Sequence, residues 1–339
     1  MRRFTRFIAS LAALGLAMTP LWRANAKAQE NQADQNLSPL TLSSGDSLVH
    51  VFPTVSAAGS GALGPVPSDS GPLVYHSGGQ TMSSVTTYAI FWLPLSLQSG
   101  APTSMSASYR PIIRRFLADY PAHGIDNNNT QYYNTLGGTP TYIQNTGKFG
   151  GAALDTSPYP ASGCVDSATP GNCLTDLQIR KEIRKVVALK GWPIGLKHMF
   201  LLFTSSGEGS CLDSIHCSYT FYCAYHGFDQ TAAGVIIYSN EPYAEISVCQ
   251  GPGAPSPNGD PVADDAATIA SHELTEAITD PLLNAWYTNS GNEIGDLCAY
   301  NYGTLTWDSS AADEMWNGNF YLLQQEFDNH AGGCVQVGP

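Results

Sequence analysis

The chain alternates between apolar runs and polar segments rich in Gly, Ser, Asn and Pro. One run, Val85 to Leu93 (VTTYAIFWL), is nearly all β-branched, aromatic or apolar, which predicts a buried strand. Between Ser106 and Tyr120 the apolar residues recur at helical spacing, and Pro111 falls in the first turn, where its missing N–H costs no hydrogen bond. The same criteria predict a helix at 176–189 and strands at 199–203, 235–238 and 320–327.

A longer helix is predicted from Pro261 to Ile278, within the segment DPVADDAATIASHELTEAITDP. Asp260 is a suitable N-cap and Pro261 fits the first helical position. Asp280 ends the helix, because a residue that precedes proline avoids the α region. Since strands and helices interleave along the chain, we expect a mixed α/β sheet with helices packed on it. Long loops are expected at 121–175, 204–232 and 239–259.

The first 28 residues predict export from the cytoplasm. Three arginines precede an apolar run, and small-x-small sites follow at 24–28, which is typical of a cleaved secretory signal peptide. The run is interrupted by Pro20 and is too short to span a bilayer. Residues 29–72 are polar, which predicts a flexible lead or a propeptide. The folded domain is expected at 73–339, in a secreted, extracellular or periplasmic protein.

Acidic residues dominate the charge of the chain. There are 15 Lys and Arg against 28 Asp and Glu, a formal net charge of −13, and loss of the signal peptide makes it five units more negative. This charge excludes nucleic acids and anionic membranes as partners, because both require a basic surface. Few cations remain to repel one another when carboxylates are neutralised, so we expect tolerance of acid. A monomer with a protein or peptide substrate is expected.

Eight cysteines lie in the second half of the chain. An even number in an exported protein predicts disulfides, and the absence of paired C-x-x-C units argues against a zinc cluster. The sequence alone does not fix the pairing, because eight cysteines permit many combinations. Our expectation is pairing between neighbours along the chain, namely Cys164–Cys173, Cys211–Cys217, Cys223–Cys249 and Cys298–Cys334.

The predicted long helix carries the sequence His272-Glu273-Leu-Thr-Glu276. It has the form of the zinc-peptidase motif H-E-x-x-H, with glutamate in place of the second histidine. Because residues four apart share a helix face, His272 and Glu276 would hold Zn²⁺, and Glu273 would act as general base on the metal-bound water. The alternative is a surface helix whose His and Glu are solvated. The motif favours a zincin-like single domain with disulfide-stabilised loops.

A third ligand must come from outside this helix. Asp296 and Glu293, in the segment GNEIGDLC at 291–298, are the main candidates, and Asp280 is a weaker one because it caps the helix. One histidine with two carboxylates makes a harder site than two histidines, so Ca²⁺ and Mn²⁺ are alternatives to Zn²⁺. The other histidines, including His226, are interpreted as loop residues with local hydrogen bonds.

Several segments, in order along residues 73–334, resemble the Exordium-like or phosphate-induced protein family. They are LVYHSGGQTM, TTYAIFWL, RPIIRRFLADY, YCAYHGF, APSPNGD, ITDPLLNAWY, NEIGDLC and NHAGGC. Plant members of that family are extracellular, associate with the cell wall and growth, and have no established catalytic activity. The position that matches 272–276 generally lacks His-Glu-x-x-Glu in them, so this chain is similar to a bacterial-type branch that carries the motif.

Two functions therefore compete. The helix motif favours a secreted, acid-tolerant, zinc-dependent metallopeptidase that hydrolyses internal peptide bonds. The resemblance favours a non-enzymatic extracellular protein that binds cell wall or glycan.

Overall fold

The computed structural model describes residues 40–60, 71–244, 246–249, 256–305 and 311–339. The chain divides into two compact units, Met1–Leu37 and Ser38–Pro339, and all described residues belong to the second. The predicted signal peptide lies outside the described residues. Among the described helices, none has both the length and the apolar character needed to cross a bilayer.

Short strands and six helices make up the described chain. The strands are β1 (Thr41–Ser44), β2 (Ser47–Pro53), β3 (Val74–Tyr75), β4 (Thr86–Trp92), β5 (Tyr133–Asn134), β6 (Thr141–Tyr142), β7 (Lys148–Asp155), β8 (Cys173–Thr175), β9 (His198–Phe203), β10 (Gly209–Cys211), β11 (Tyr222–Thr231), β12 (Gly234–Glu241), β13 (Trp286–Tyr287), β14 (Glu314–Trp316), β15 (Asn319–Tyr321), β16 (Glu326–Asp328) and β17 (Gly333–Val335). The α-helices are α1 (Val55–Ser60), α2 (Tyr109–Asp119), α3 (Gly124–Asn128), α4 (Asp176–Lys190), α5 (Ile246–Cys249) and α6 (Pro261–Thr279), with 3-10 turns at Asn129–Gln131 and Asp296–Cys298.

Seven strands form the central sheet in the order β1-β2-β11-β12-β9-β4-β7. The half that contains β12, β9, β4 and β7 is parallel, whereas β1, β2 and β11 are joined antiparallel. Parallel strands are usually covered on both faces, which explains why all seven residues of β4 are buried. The mixed α/β sheet expected from the sequence is confirmed.

The ends of the predicted helices are set by their capping residues. Thr175 and Gln178 form a capping box at the start of α4, and Gly191 ends that helix in the left-handed region with φ of 64°. The Asp260 side chain accepts a hydrogen bond from the Ala263 N–H at the start of α6. The predictions of α2, α4, α6, β4, β9 and β12 are confirmed with shifts of a few residues.

The structure differs from the sequence prediction in four segments. The expected loop at 204–232 contains β11, a ten-residue strand in the middle of the sheet, and the loop at 121–175 contains β7. The expected flexible lead at 29–72 contains β1 and β2, so folded structure is already present well before Leu73. Glycine, cysteine and histidine in these segments obscured the strand pattern. The single strand expected at 320–327 is instead divided between β15 and β16.

Alternate residues of the strands point to opposite faces, and each face has its own helices. On one face, α4 packs on residues such as Val51 and Phe200. On the other, α2 and α6 pack on residues such as Phe52 and Leu201. Even-numbered positions of β2 therefore face α6, which places His50 and Phe52 beside that helix.

The four expected disulfides are confirmed: Cys164–Cys173, Cys211–Cys217, Cys223–Cys249 and Cys298–Cys334. The last of these connects the 3-10 turn at Asp296–Cys298 to β17, and Cys223–Cys249 connects β11 to α5. Both constrain elements next to α6.

A chain that begins at Leu73 is expected to fold poorly. It lacks β2, so β11 loses a neighbour and the buried side chains of Val49, Val51 and Phe52 are lost from both cores. At about 1.5–3 kcal/mol for each buried apolar side chain, we expect a drop in Tm of more than about 10 °C, or no cooperative melting by circular dichroism. The control is a chain that begins at Ser38, which should have the same Tm as the full-length protein. Equal Tm values for the two truncations would contradict the sheet order.

Candidate metal centre

Helix α6 buries the whole His272-Glu273-Leu-Thr-Glu276 motif against the sheet. The side chains of His272, Glu273 and Glu276 are all fully buried. The His272 ring lies on Phe52 of β2, with ring centroids 4.2 Å apart. The alternative of a solvated surface helix is therefore excluded.

Two neighbouring strands add a histidine each. His50 of β2 and His226 of β11 are directly paired in the antiparallel ladder, and both are fully buried. Directly opposite residues point to the same face, and the two ring centroids are 5.8 Å apart. Three histidines thus surround one end of α6, of which the sequence prediction used only His272.

The segment predicted to supply a third ligand does reach this cluster. Asp296 Oδ2 lies 2.8 Å from His50 Nε2, and the Glu293 N–H donates to the same oxygen at 2.7 Å. Glu293 Oε2 lies 3.8 Å from His226 Nε2. Glu293 and Asp296 therefore lie near α6, but the histidines beside them are His226 and His50 rather than His272.

Asp280 also lies at the cluster, in the capping role that the sequence suggested. Its Oδ1 accepts hydrogen bonds from the N–H groups of Asn284 and Ala285, at 2.5 and 2.7 Å. Burial raises the pKa of Asp280 to about 7. Its second carboxylate oxygen has no hydrogen-bond partner among the described residues.

Of the four groups of potential metal ligands among the described residues, two lie in this cluster, and the other two consist mainly of disulfide-bonded cysteines. In the cluster, one group consists of His50, Glu276 and Asp296, and the other of His226, Glu276 and Glu293, and in each group the ligand atoms lie within 4.8 Å of one another. Two ligands around one Zn²⁺ ion are separated by about 3.4 Å, given metal–ligand bonds of about 2.1 Å in a tetrahedral arrangement. The distance of 3.8 Å between His226 Nε2 and Glu293 Oε2 is close to this value, whereas Glu276 Oε2 lies 3.5 Å from the other ring nitrogen, Nδ1.

Many polar atoms of the cluster are buried without a hydrogen-bond partner among the described residues. They are His226 Nε2, His272 Nε2, Glu273 Oε1, both Glu276 oxygens, Glu293 Oε2 and Asp296 Oδ1. In the same part of the chain, no lysine or arginine forms an ion pair with these carboxylates. A buried carboxylate without a counter-charge is costly, so the cluster fits a bound cation.

The pKa values reflect the crowding of like charges. Burial and neighbouring carboxylates raise the pKa of Glu273 and of Glu293 well above the usual value. Burial alone would lower the pKa of His50, but the adjacent Asp296 carboxylate raises it to about 9. Burial opposes ionisation of Asp296, yet His50 holds its pKa below the ordinary value. His50 and Asp296 thus form an ion pair, and His50 would release its Nε2 proton to act as a metal ligand.

Hydrogen bonds set the proton position on His272. Gln324 Nε2 donates to the Gly295 carbonyl at 2.8 Å, and Gln324 Oε1 accepts from the Tyr300 N–H at 3.2 Å, so the orientation of this amide is fixed. The same Nε2 group lies 3.0 Å from His272 Nδ1 and must donate to it. The proton of neutral His272 therefore lies on Nε2, which faces Glu276 Oε1 at 3.2 Å.

His226 has the opposite arrangement. Its Nδ1 lies 3.1 Å from Glu273 Oε2, and an ionised Glu273 can only accept, so Nδ1 then carries the proton. Burial lowers the pKa of His226 well below its usual value, so the ring is neutral. The lone pair on Nε2 consequently points into the cluster.

His50 and His226 escaped the sequence prediction because each lies in a segment interpreted as irregular. A signal was nevertheless present for His50, which is the polar member of the apolar run LVHVF. A single histidine on the same face as the apolar residues of a strand is a candidate buried ligand.

A substitution of Gly295 by alanine is expected to disturb the cluster. The added Cβ would lie 2.4 Å from His272 Nδ1 and 3.0 Å from Glu276 Oε1, both within buried structure. We expect a loss of about 1–3 kcal/mol in the free energy of unfolding by urea. The control is Gly333→Ala, where a Cβ meets nothing within 4 Å. An unchanged stability for Gly295→Ala would show that His272 is not held as described.

The chain is similar to two proteins of Arabidopsis thaliana. It is 29% identical to Protein EXORDIUM-like 5 over 159 residues, which are 40% of this chain and 42% of that protein. It is 28% identical to Protein EXORDIUM-like 3 over 206 residues, 49% of this chain and 58% of that protein. The chain thus spans about half the length of these relatives. No family model and no solved structure matches it. The two likenesses support the Exordium-like family that the sequence segments indicated.

Proposed function

We propose that the protein is an extracellular Exordium-like protein that binds divalent metal in the cluster between α6 and the sheet. The observation that carries the proposal is the set of buried, unpartnered ligand atoms on His226, Glu276, Glu293 and Asp296. Zn²⁺ is the proposed ion, because the imidazole nitrogens suit it better than Ca²⁺, which prefers oxygen ligands. Mn²⁺ is the second choice for a site rich in carboxylates.

The ligands differ from those that the helix motif suggests by itself. Glu276, Asp296 and Glu293 keep the role expected from the sequence, but His50 and His226 replace His272 as nitrogen ligands. His272 instead lies outside both ligand groups, with its Nε2 3.2 Å from Glu276 Oε1 and its Nδ1 occupied by Gln324. A polar group beside a carboxylate ligand orients that carboxylate and tunes its charge.

A second candidate function is hydrolysis of peptide bonds, as the helix motif suggests. A bound metal would supply acidification of a water molecule. Glu273 is favoured as its proton acceptor, because Glu273 Oε1 is unpartnered and lies within the cluster, while Oε2 accepts from His226. The comparisons offer no support for this activity, so metal binding is the primary proposal.

Metal binding is expected to require Glu276. The purified full-length chain, dialysed against Zn²⁺ and then against buffer, should retain at least one Zn²⁺ per chain by mass spectrometry. Glu276→Gln removes a ligand from both groups and should weaken binding at least about tenfold. Asp265→Asn is the matched control, because Asp265 lies on the same helix and is equally buried but belongs to neither group. Absence of metal from the wild-type protein would refute the proposal.

Peptide hydrolysis is expected to depend on Glu273 if it occurs. Glu273→Gln preserves an acceptor for His226 but not a proton acceptor, so metal content should persist while hydrolysis of casein falls at least about a hundredfold. Digestion assays from pH 3 to 8 provide the measurement. No hydrolysis by the metal-loaded wild-type protein at any pH would rule out this candidate and leave metal binding intact.

Tolerance of acid is expected from buried carboxyls outside the cluster, of which Glu208 is an example. Burial raises its pKa from 4.5 to about 7, and its Oε1 has no partner among the described residues. The folded state thus binds this proton more tightly than the unfolded chain, so the stabilisation is present below about pH 4.5 and is lost as the pH rises through about 7. Glu208→Gln mimics the protonated form. It should be more stable than wild type by about 1–2 kcal/mol at pH 8, after allowance for solvent screening, and about equal at pH 4. Urea unfolding at both pH values tests this, and a variant less stable at pH 8 would contradict it.

A further inference from the structure

Resting on the proposed metal binding, we infer that the cluster holds two divalent ions bridged by the Glu276 carboxylate. His50 and Asp296 bind one ion, and His226 and Glu293 bind the other. The centre is thus a two-metal site with one nitrogen ligand and one separate carboxylate for each ion.

The first argument is the composition of the two ligand groups. They share Glu276, and each adds one histidine from the sheet and one acid from the 292–298 segment. Neither group contains both His50 and His226, although these residues are directly opposite in the ladder. The sheet therefore presents two nitrogen ligands side by side, one to each group.

The second argument is the orientation of Glu276. Its Oε2 lies 3.5 Å from His226 Nδ1, whereas its Oε1 lies 3.2 Å from His272 Nε2. Both oxygens lack a hydrogen-bond partner among the described residues, and they lie beside different histidines, Oε2 at His226 and Oε1 at His272. A carboxylate that offers one oxygen to each of two ions matches the separation of about 3.5–4 Å found in two-metal sites.

The third argument is that both histidines are oriented for coordination through Nε2. His50 Nδ1 lies 2.9 Å from Thr41 Oγ1, and His226 Nδ1 lies 3.1 Å from Glu273 Oε2. In metal sites the second ring nitrogen commonly donates to such an oxygen, which fixes the ring and frees the other nitrogen. His50 Nε2 then faces Asp296, and His226 Nε2 faces Glu293.

The fourth argument is charge. One divalent ion does not balance Glu276, Glu293 and Asp296 once all three are ionised as ligands, and a residual buried negative charge is costly. A second divalent ion changes the net charge of the ions and these three carboxylates from −1 to +1. The carboxylate of Glu273, buried beside His226, then balances the centre. With both histidines neutral as ligands, two ions therefore balance the carboxylates of Glu273, Glu276, Glu293 and Asp296.

The experiment is a measurement of stoichiometry and of coupling between ions. The full-length protein is freed of metal and titrated with Zn²⁺, and separately with Mn²⁺. We expect two Zn²⁺ per chain by mass spectrometry. With two equivalents of Mn²⁺, electron paramagnetic resonance should show the multiline spectrum of an exchange-coupled pair rather than the six lines of an isolated ion.

Variants assign each ion to its ligands. His226→Gln and His50→Gln should each bind one Mn²⁺ with a six-line spectrum, and Asp265→Asn should keep the coupled pair. Two tightly bound ions in both histidine variants would overturn the ligand assignment. If either variant fails to fold, the stoichiometry and the spectrum of the wild-type protein still decide whether the centre holds two coupled ions.

The outcomes separate this inference from the proposal on which it rests. A single ion per wild-type chain leaves metal binding intact and overturns the two-metal centre. Two ions without magnetic coupling overturn the Glu276 bridge. No bound ion refutes both statements.

Discussion

The burial of several carboxylates against the sheet, without a lysine or arginine beside them in the described chain, is the constraint on which the structure depends. Glu273, Glu276, Glu293 and Asp296 occupy a space that in most proteins would hold apolar side chains. Their mutual repulsion opposes folding unless protons or cations are taken up. Under the proposal that the cluster binds cations, folding and cation binding are linked, and the surrounding elements hold the acids together.

Three features of the scaffold maintain this arrangement. The ladder between β2 and β11 sets two histidines side by side, because direct cross-strand pairs share a face. Close packing of α6 is made possible by its many alanines, which bring the helix backbone near the sheet. The disulfide Cys298–Cys334 holds the turn that carries Asp296. None of the three alone creates the cluster, since its ligands come from all of them.

The family likeness and the cluster give different kinds of information. The likeness covers about half of each Arabidopsis relative and supports the Exordium-like family, without assigning chemistry. The chemistry is a property of this chain, because it depends on the histidines and acids at these particular positions. The tautomers of His226 and His272 illustrate this point, since they are decided by Glu273 and Gln324 rather than by the helix motif.

The sequence by itself determined the local features. It located α6 and its ends, because capping residues and apolar spacing act within a few residues, and it identified Glu276, Glu293 and Asp296 as residues of one site. Tertiary structure decided which histidines join them. His50 and Asp296 are 246 positions apart, and their contact depends on the strand order and on the face to which each side chain points. Strand register is a property of the assembled sheet, so no local pattern could have predicted that His50 and His226 would lie opposite each other.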